Sequence, residues 1–108
     1  MKVSVIGAGS WGTALSQAIV DNKNELLLYA RSELARDEIN NNHTNSRYLK
    51  NIVLPDEVKA TSDLEEAVKF ADVIVIAVPT KVMRETANKI NQYLDKPKYI
   101  IHVSKGLE

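Results

Sequence analysis

The chain contains no cysteine, which excludes disulfides, thiolate nucleophiles and cysteine-based metal centres. Histidine is nearly as scarce, with two residues among 108. His43 sits in a polar stretch with no second histidine or carboxylate at ligand spacing. His102 falls in an apolar run, where it reads as a core or rim residue and not as a base. An excess of either charge is also missing, since 14 Lys and Arg offset 14 Asp and Glu. Nothing in the overall charge recommends a nucleic acid or an anionic membrane as partner. No apolar run approaches bilayer-spanning length, and the N-terminus enters a strand-like run after one lysine, without a signal-peptide pattern. These absences leave the expectation of a soluble, cytoplasmic chain. Its length suggests one domain, large enough for a real core but small for a complete two-substrate enzyme.

Glycine is sparse as well, four residues in all, and three of them stand at positions 7, 9 and 12. The run Lys2-Val3-Ser4-Val5-Ile6 is β-branched and apolar, as a strand buried in a parallel sheet should be. Gly7, Gly9 and Gly12 follow at G-x-G-x-x-G spacing, and a helical pattern opens at once. In this context the first glycine permits a tight turn. The second lets backbone approach a pyrophosphate, and the third lets helix pack on strand. The unpaired N–H groups and positive dipole end of the helix then face the phosphates. The glycine spacing alone is a weak signal; a strand before it and a helix after it make it informative.

Downstream, Ala14, Leu15, Ala18 and Ile19 recur at helical spacing and predict the sheet-facing side of that first helix, which ends near Asp21-Asn22. Glu25 to Ala30 reads as a second strand. Ser32 is placed to cap a polar helix to about Asn40, with Leu34, Ala35 and Ile39 inward. Asn40 to Leu54 lacks periodicity and reads as a loop-rich connection with a short turn at Tyr48-Leu49. Val58 to Thr61 is a short strand candidate, and Ser62-Asp63-Leu64-Glu65 a capping box for a helix to about Phe70. Ala71 to Val78 is the most hydrophobic run and predicts a central strand, stopped by Pro79. Thr80 can cap the next helix, on which Met83, Ala87, Ile90 and Leu94 recur. Tyr99 to Val103 is a last strand. The alternation predicts an α/β domain with a doubly wound, Rossmann-type, mainly parallel sheet covered by helices on both faces. Gly7 to Gly12, Arg31, Val78-Pro79-Thr80 and Ser104-Lys105 all follow strand ends and should line one edge.

Folds of this kind that prefer NAD end the second strand in Asp or Glu, which bonds the ribose hydroxyls. Here Arg31 occupies that place. A guanidinium can meet a 2′-phosphate with several charge-assisted hydrogen bonds, so NADP(H) is the expected cofactor, with NAD(H) possible. A solvated loop cation is the plainer alternative for an arginine, and its place directly after the strand favours the functional one.

The string Gly7-Ala8-Gly9-Ser10-Trp11-Gly12-Thr13-Ala14-Leu15, followed by Val78-Pro79-Thr80 and Ser104-Lys105-Gly106-Leu107-Glu108, resembles NAD(P)-dependent glycerol-3-phosphate dehydrogenase of the bacterial type. Asn45-x-x-Tyr48-Leu49 is similar to a further family segment, with Lys50 where the family usually has proline. The resemblance covers the whole chain and the family's N-terminal half. In the family, a mostly helical second domain follows, carrying the catalytic lysine, so no catalytic residue is expected among these 108. The resemblance implies cofactor contacts from Gly7, Gly9, Ser10, Trp11, Gly12, Arg31, Tyr48, Pro79 and Lys105, with Lys105 also touching substrate. It implies hydride transfer between dihydroxyacetone phosphate and sn-glycerol 3-phosphate, a step toward phospholipids, by an enzyme that can be a homodimer. Without the resemblance, Tyr48 reads as a packing residue with its hydroxyl in water, Trp11 as core or cofactor neighbour, and Lys105 as a surface lysine.

Two alternatives stand beside this reading: a free-standing dinucleotide-binding or regulatory module, and the cofactor domain of another 2-hydroxy-acid or keto-acid reductase. The end of the sequence just after Lys105-Gly106, with no closing helix, favours a domain cut from a longer enzyme over a module. Arg31→Asp is expected to move preference from NADPH toward NADH, as the ratio of the two dissociation constants would show; an unchanged ratio would mean that Arg31 selects nothing.

Overall fold

The computed structural model describes residues 1–103, so Ser104, Lys105 and the remainder of the S-K-G-L-E string lie outside the described residues. In chain order the elements are β1 (Lys2–Ile6), α1 (Ser10–Asp21), β2 (Glu25–Tyr29), α2 (Glu33–Asn42), β3 (Lys59–Thr61), α3 (Leu64–Phe70), β4 (Val73–Ile76), a 3₁₀ turn (Thr80–Val82), α4 (Met83–Tyr93) and β5 (Tyr99–His102). The strands form one sheet in the order β3-β2-β1-β4-β5, every neighbouring pair parallel. The chain thus winds outward from β1 to β3, returns through α3, and winds the other way from β4. This is the doubly wound, Rossmann-type α/β topology, with its switch point between β1 and β4.

Both faces of the inner strands are buried, which is why they read as continuous apolar runs. Val3, Val5, Leu26, Leu28 and Val75 face one layer, where Val20 of α1 and Ile39 of α2 cover them. Ile6, Leu27, Ile74 and Ile76 face the other, against Ala67 and Val68 of α3 and Ile90 of α4. Ser4 is the polar exception on the second face, and its hydroxyl donates to the Ala67 carbonyl, so burial leaves it satisfied. At the sheet's far edge, the Asn40 amide does a strand's work. Its Nδ2 donates to Ala60 O at 2.9 Å, and its Oδ1 accepts from Ala60 N at 2.8 Å. That pairing occupies the outer hydrogen bonds of β3, which would otherwise be a bare edge. On the opposite edge β5 is exposed along its length, and His102 sits on the rim, not in the core.

Four local expectations are revised by the packing. On α1 the buried residues are Gly12, Thr13, Ser16 and Val20, with Leu15 and Ile19 partly buried, whereas Ala14 and Ala18 face solvent. Hydroxyls can face the sheet because each bonds back one turn: Thr13 Oγ1 to Gly9 O at 2.7 Å and Ser16 Oγ to Gly12 O at 2.9 Å. Apolar periodicity misses such a face. On α2, Leu34 is 84% exposed. It lies five residues before Ile39, about 140° away around a helix at 3.6 residues per turn.

The cap of α3 is Asp63, one residue later than the proposed box. Its Oδ1 accepts from Glu65 N at 3.0 Å and Glu66 N at 3.4 Å. The Ser62 hydroxyl instead accepts from the Arg36 guanidinium at 2.7 Å. Thr80 does not cap α4 but opens the 3₁₀ turn, closed by Val82 N donating to Pro79 O at 3.0 Å. Asp63→Ala is expected to cost about 1 kcal/mol, a fall in Tm of roughly 4–8 °C for a domain near this size, whereas Ser62→Ala should cost less; thermal denaturation followed by circular dichroism compares the two.

Candidate functional site

Strand ends set the geometry. Thr61, Tyr29, Ile6, Ile76 and His102 are register partners across the sheet and form one row at its carboxyl edge. Backbone bonds carry the ladder one residue further: Ala30 N to Thr61 O at 2.8 Å, Gly7 N to Tyr29 O at 3.2 Å, Ala77 N to Ile6 O at 2.9 Å and Val103 N to Ile76 O at 3.0 Å. The segments beginning at Gly7, Arg31 and Val78 therefore leave the sheet along the same edge, with Pro79 exposed just beyond β4. In such sheets ligands bind at this edge, where the switch point opens a crevice.

The three glycines have three different physical reasons. Gly7 has φ 120°, and a Cβ there would stand 2.6 Å from the Ala77 carbonyl oxygen. A Cβ on Gly12 would lie 1.8 Å from the Gly7 carbonyl oxygen, inside any possible contact. A Cβ on Gly9 would meet no protein atom within 4 Å, and its backbone at φ −76°, ψ −171° is open to any residue. Neither the fold's sterics nor its torsions require that glycine.

Gly9 is also the N-cap of α1 and has no side chain to cap it, and among the described residues no side-chain hydrogen bond reaches the N–H groups that follow. The first turn carries no acidic residue. Uncapped N–H groups and an uncompensated positive dipole end are the arrangement that holds an anion. This donor set and the open cradle at Gly9 fit the pyrophosphate of a dinucleotide. Ser10 and Trp11 project from this turn, Trp11 41% exposed. Arg31 is exposed two residues past Tyr29, whose carbonyl holds Gly7. Among the described residues no hydrogen bond or ion pair engages its guanidinium.

Tyr48 comes to the same region through a contact that the sequence did not single out. Asn45 to Leu49 forms a tight turn, with Tyr48 N and Leu49 N donating to Asn45 O at 3.1 and 2.8 Å. The Asn45 side chain is buried and donates to Ala8 O at 2.9 Å and to Thr13 Oγ1 at 3.0 Å. The turn is thereby tied to the glycine loop, with Tyr48 45% exposed and the Arg47 guanidinium 5.5 Å from its ring centre. Glu38 of α2 holds both neighbours of Asn45. One carboxylate oxygen accepts from Thr44 Oγ1 at 2.7 Å and Ser46 N at 2.8 Å. The Thr44 hydroxyl, then the Ser46 amide, keep this carboxyl below the usual glutamate range. The only trace of Asn45 in the sequence is the N-x-x-Y-L string itself. A groove of about 640 Å³ lies at the opposite, amino edge among Lys23, Glu25, Lys59 and Phe70, away from the glycine loop. Lys105 lies outside the described residues.

Gly9→Ala should leave stability within about 1 kcal/mol yet weaken dinucleotide binding about tenfold or more. Gly12→Ala should instead lower the melting temperature sharply, since overlap with backbone cannot relax cheaply. Melting curves with and without NADPH separate the two effects.

Comparison with known proteins shows the family and the fold. The family model described as NAD-dependent glycerol-3-phosphate dehydrogenase N-terminus matches residues 2–108. The chain is 46% identical over 107 residues to glycerol-3-phosphate dehydrogenase [NAD(P)+] of Listeria monocytogenes, covering 99% of this chain and 32% of the relative. With the enzyme of the same description from Streptococcus sanguinis the identity is 51% over the same length and the same coverage. The crystal structure of glycerol-3-phosphate dehydrogenase from Coxiella burnetii superposes with a TM-score of 0.87 at 29% identity, over 96% of this chain and 32% of that one. The chain thus spans about a third of the length of the curated relatives it matches.

Proposed function

The chain belongs to the NAD-dependent glycerol-3-phosphate dehydrogenase family, matching its N-terminal domain, and from that premise we propose that it holds NADP(H), in preference to NAD(H), for hydride exchange between dihydroxyacetone phosphate and sn-glycerol 3-phosphate. The observation that carries this reading is the start of α1, uncapped and open around Gly9 beside the switch point. There the N–H groups that follow Gly9 would hold the pyrophosphate, with Gly7 and Gly12 making the close approach possible and Ser10 adding a hydroxyl.

Arg31, exposed beyond β2, would receive the 2′-phosphate with a planar fork of donors. Tyr48 and Pro79 would border the nucleotide on either side, and Trp11 would lie against it. Lys105 carries its proposed role, an ammonium touching both cofactor and glycerol phosphate, on the motif alone. The bound nicotinamide supplies the hydride; the protein's share is orientation and charge. In a longer enzyme of the family, which can be a cytoplasmic homodimer, a further domain would complete the substrate site, and the product would feed phospholipid synthesis. No helix among the described residues is long and apolar enough to cross a membrane.

Trp11 is the only tryptophan and sits in the proposed site, so its fluorescence is the test. NADPH should quench it with energy transfer to the nicotinamide and saturate at lower concentration than NADH. Equal saturation would remove the NADP preference, and no saturable change with either would overturn the cofactor reading. The same chain should show no turnover of dihydroxyacetone phosphate, and measurable turnover would refute the need for a further domain.

A further inference from the structure

We infer that Asn45 is a positioning residue for the cofactor: its buried amide clamps the turn bearing Tyr48 onto the glycine loop and fixes the direction of the N–H groups that receive the pyrophosphate. This rests on the dinucleotide reading of the site.

In a trans amide the C=O and the following N–H point in opposite directions, so whatever anchors a carbonyl aims the next N–H. One Nδ2 hydrogen of Asn45 goes to Ala8 O at 2.9 Å, which aims the Gly9 N–H the opposite way, away from the Asn45 amide. The other goes to Thr13 Oγ1 at 3.0 Å. That hydroxyl donates in turn to Gly9 O at 2.7 Å, which aims the Ser10 N–H in the same manner. A single amide thus anchors the Ala8 carbonyl directly and braces, through the Thr13 hydroxyl, the Gly9 carbonyl that the Thr13 N–H also holds at 3.0 Å.

The side chain has no freedom to swing, being 1% exposed and flanked by Thr44 and Ser46, both held by Glu38. The main-chain carbonyl of Asn45 accepts from Tyr48 N and Leu49 N, so the residue that braces the glycine loop is also the one on which the Tyr48 turn closes. Donors fixed before binding spare the ligand the cost of ordering them. Asparagine suits the place by chemistry. It offers two N–H donors to two acceptors without bringing a negative charge near phosphate, as aspartate would, and a shorter side chain would not reach both.

The test compares the chain with Asn45→Ala and with Ile39→Val, a control that loosens the core beneath α2 without touching the loop. Backbone amide relaxation is measured without nucleotide, and NADPH affinity by Trp11 fluorescence. In N45A the order parameters of residues 8 to 11 should fall from about 0.85 to below about 0.6, with the strands unchanged. The NADPH dissociation constant should rise about tenfold, the loss expected for one buried hydrogen-bonding group. Ile39→Val should lower Tm yet leave both readouts unaltered.

Should N45A fail to fold, Thr13→Val removes the Thr13 link and leaves the Ala8 contact, and a smaller loss in the same direction is expected. Order parameters that stay high, or a dissociation constant within twofold of the parent, would overturn the proposal. A parent that binds neither nucleotide would overturn it together with the cofactor reading. The relaxation data then tell that outcome from a failure of the clamp alone.

Discussion

The opening of α1 presses against the end of β1 so closely that a methyl group on Gly12 would stand 1.8 Å from the Gly7 carbonyl oxygen. Backbone meets backbone there, and much of the rest follows. A helix lying that low on a sheet has room only for small side chains beneath its first turns, and Thr13 and Ser16 fill that space with hydroxyls satisfied inside the helix. The low seat also brings the helix start level with the row of strand ends, and its N–H groups emerge at the carboxyl edge. β2 and β4 lie on opposite sides of β1, so the switch point falls beside this helix start. The open, uncapped helix start at this edge is thus a product of packing distance and winding order together.

A second layer of control comes from the aperiodic stretch after α2. Its order is made by individual polar groups, not by an apolar stripe. Asn40 pairs with both backbone groups of Ala60, Glu38 gathers Thr44 and Ser46, and Asn45 reaches the glycine loop. Leu54 and Val58, buried in the layer beneath α1 and α2, pin the far end. Asn45 is the buried member of this network, and its amide left unpaired in the interior would cost about 1–3 kcal/mol. Surface ion pairs such as Lys69–Glu65 and Lys89–Glu85, both on exposed helix faces, are worth a few tenths of a kcal/mol each and do not compete with these terms.

Most of the fold was legible because it obeys simple periods. Buried parallel strands show as unbroken apolar runs, and β1, β2 and β4 were read within about two residues on that basis. The glycine spacing made sense once a strand preceded it and a helix followed. What escaped did so for nameable reasons. The sheet-facing side of α1 is partly hydroxylic, so an apolar stripe pointed to Ala14 and Ala18 instead. Leu34 looked like core by composition, but its angle around α2 carries it outward. The α3 cap slipped by one residue because Ser62 and Asp63 are both good caps, and Arg36, distant in sequence, claims Ser62. Asn45 lay inside a recognised string with no local signal of its task, since its partners are 37 and 32 residues away.

By itself, then, the sequence determined the alternation of strands and helices, the glycine loop and its family, and the cation that follows the second strand, because each is encoded by neighbours within one turn or one strand. Only the tertiary structure decided which face of α1 meets the sheet and why Gly7 and Gly12 are sterically required while Gly9 is not. It alone showed that Asn45 joins the connecting segment to the loop. Those outcomes depend on atoms brought together from β4, α1 and the turn after α2. Contact between residues far apart in the chain is set by how the layers pack, not by any local preference.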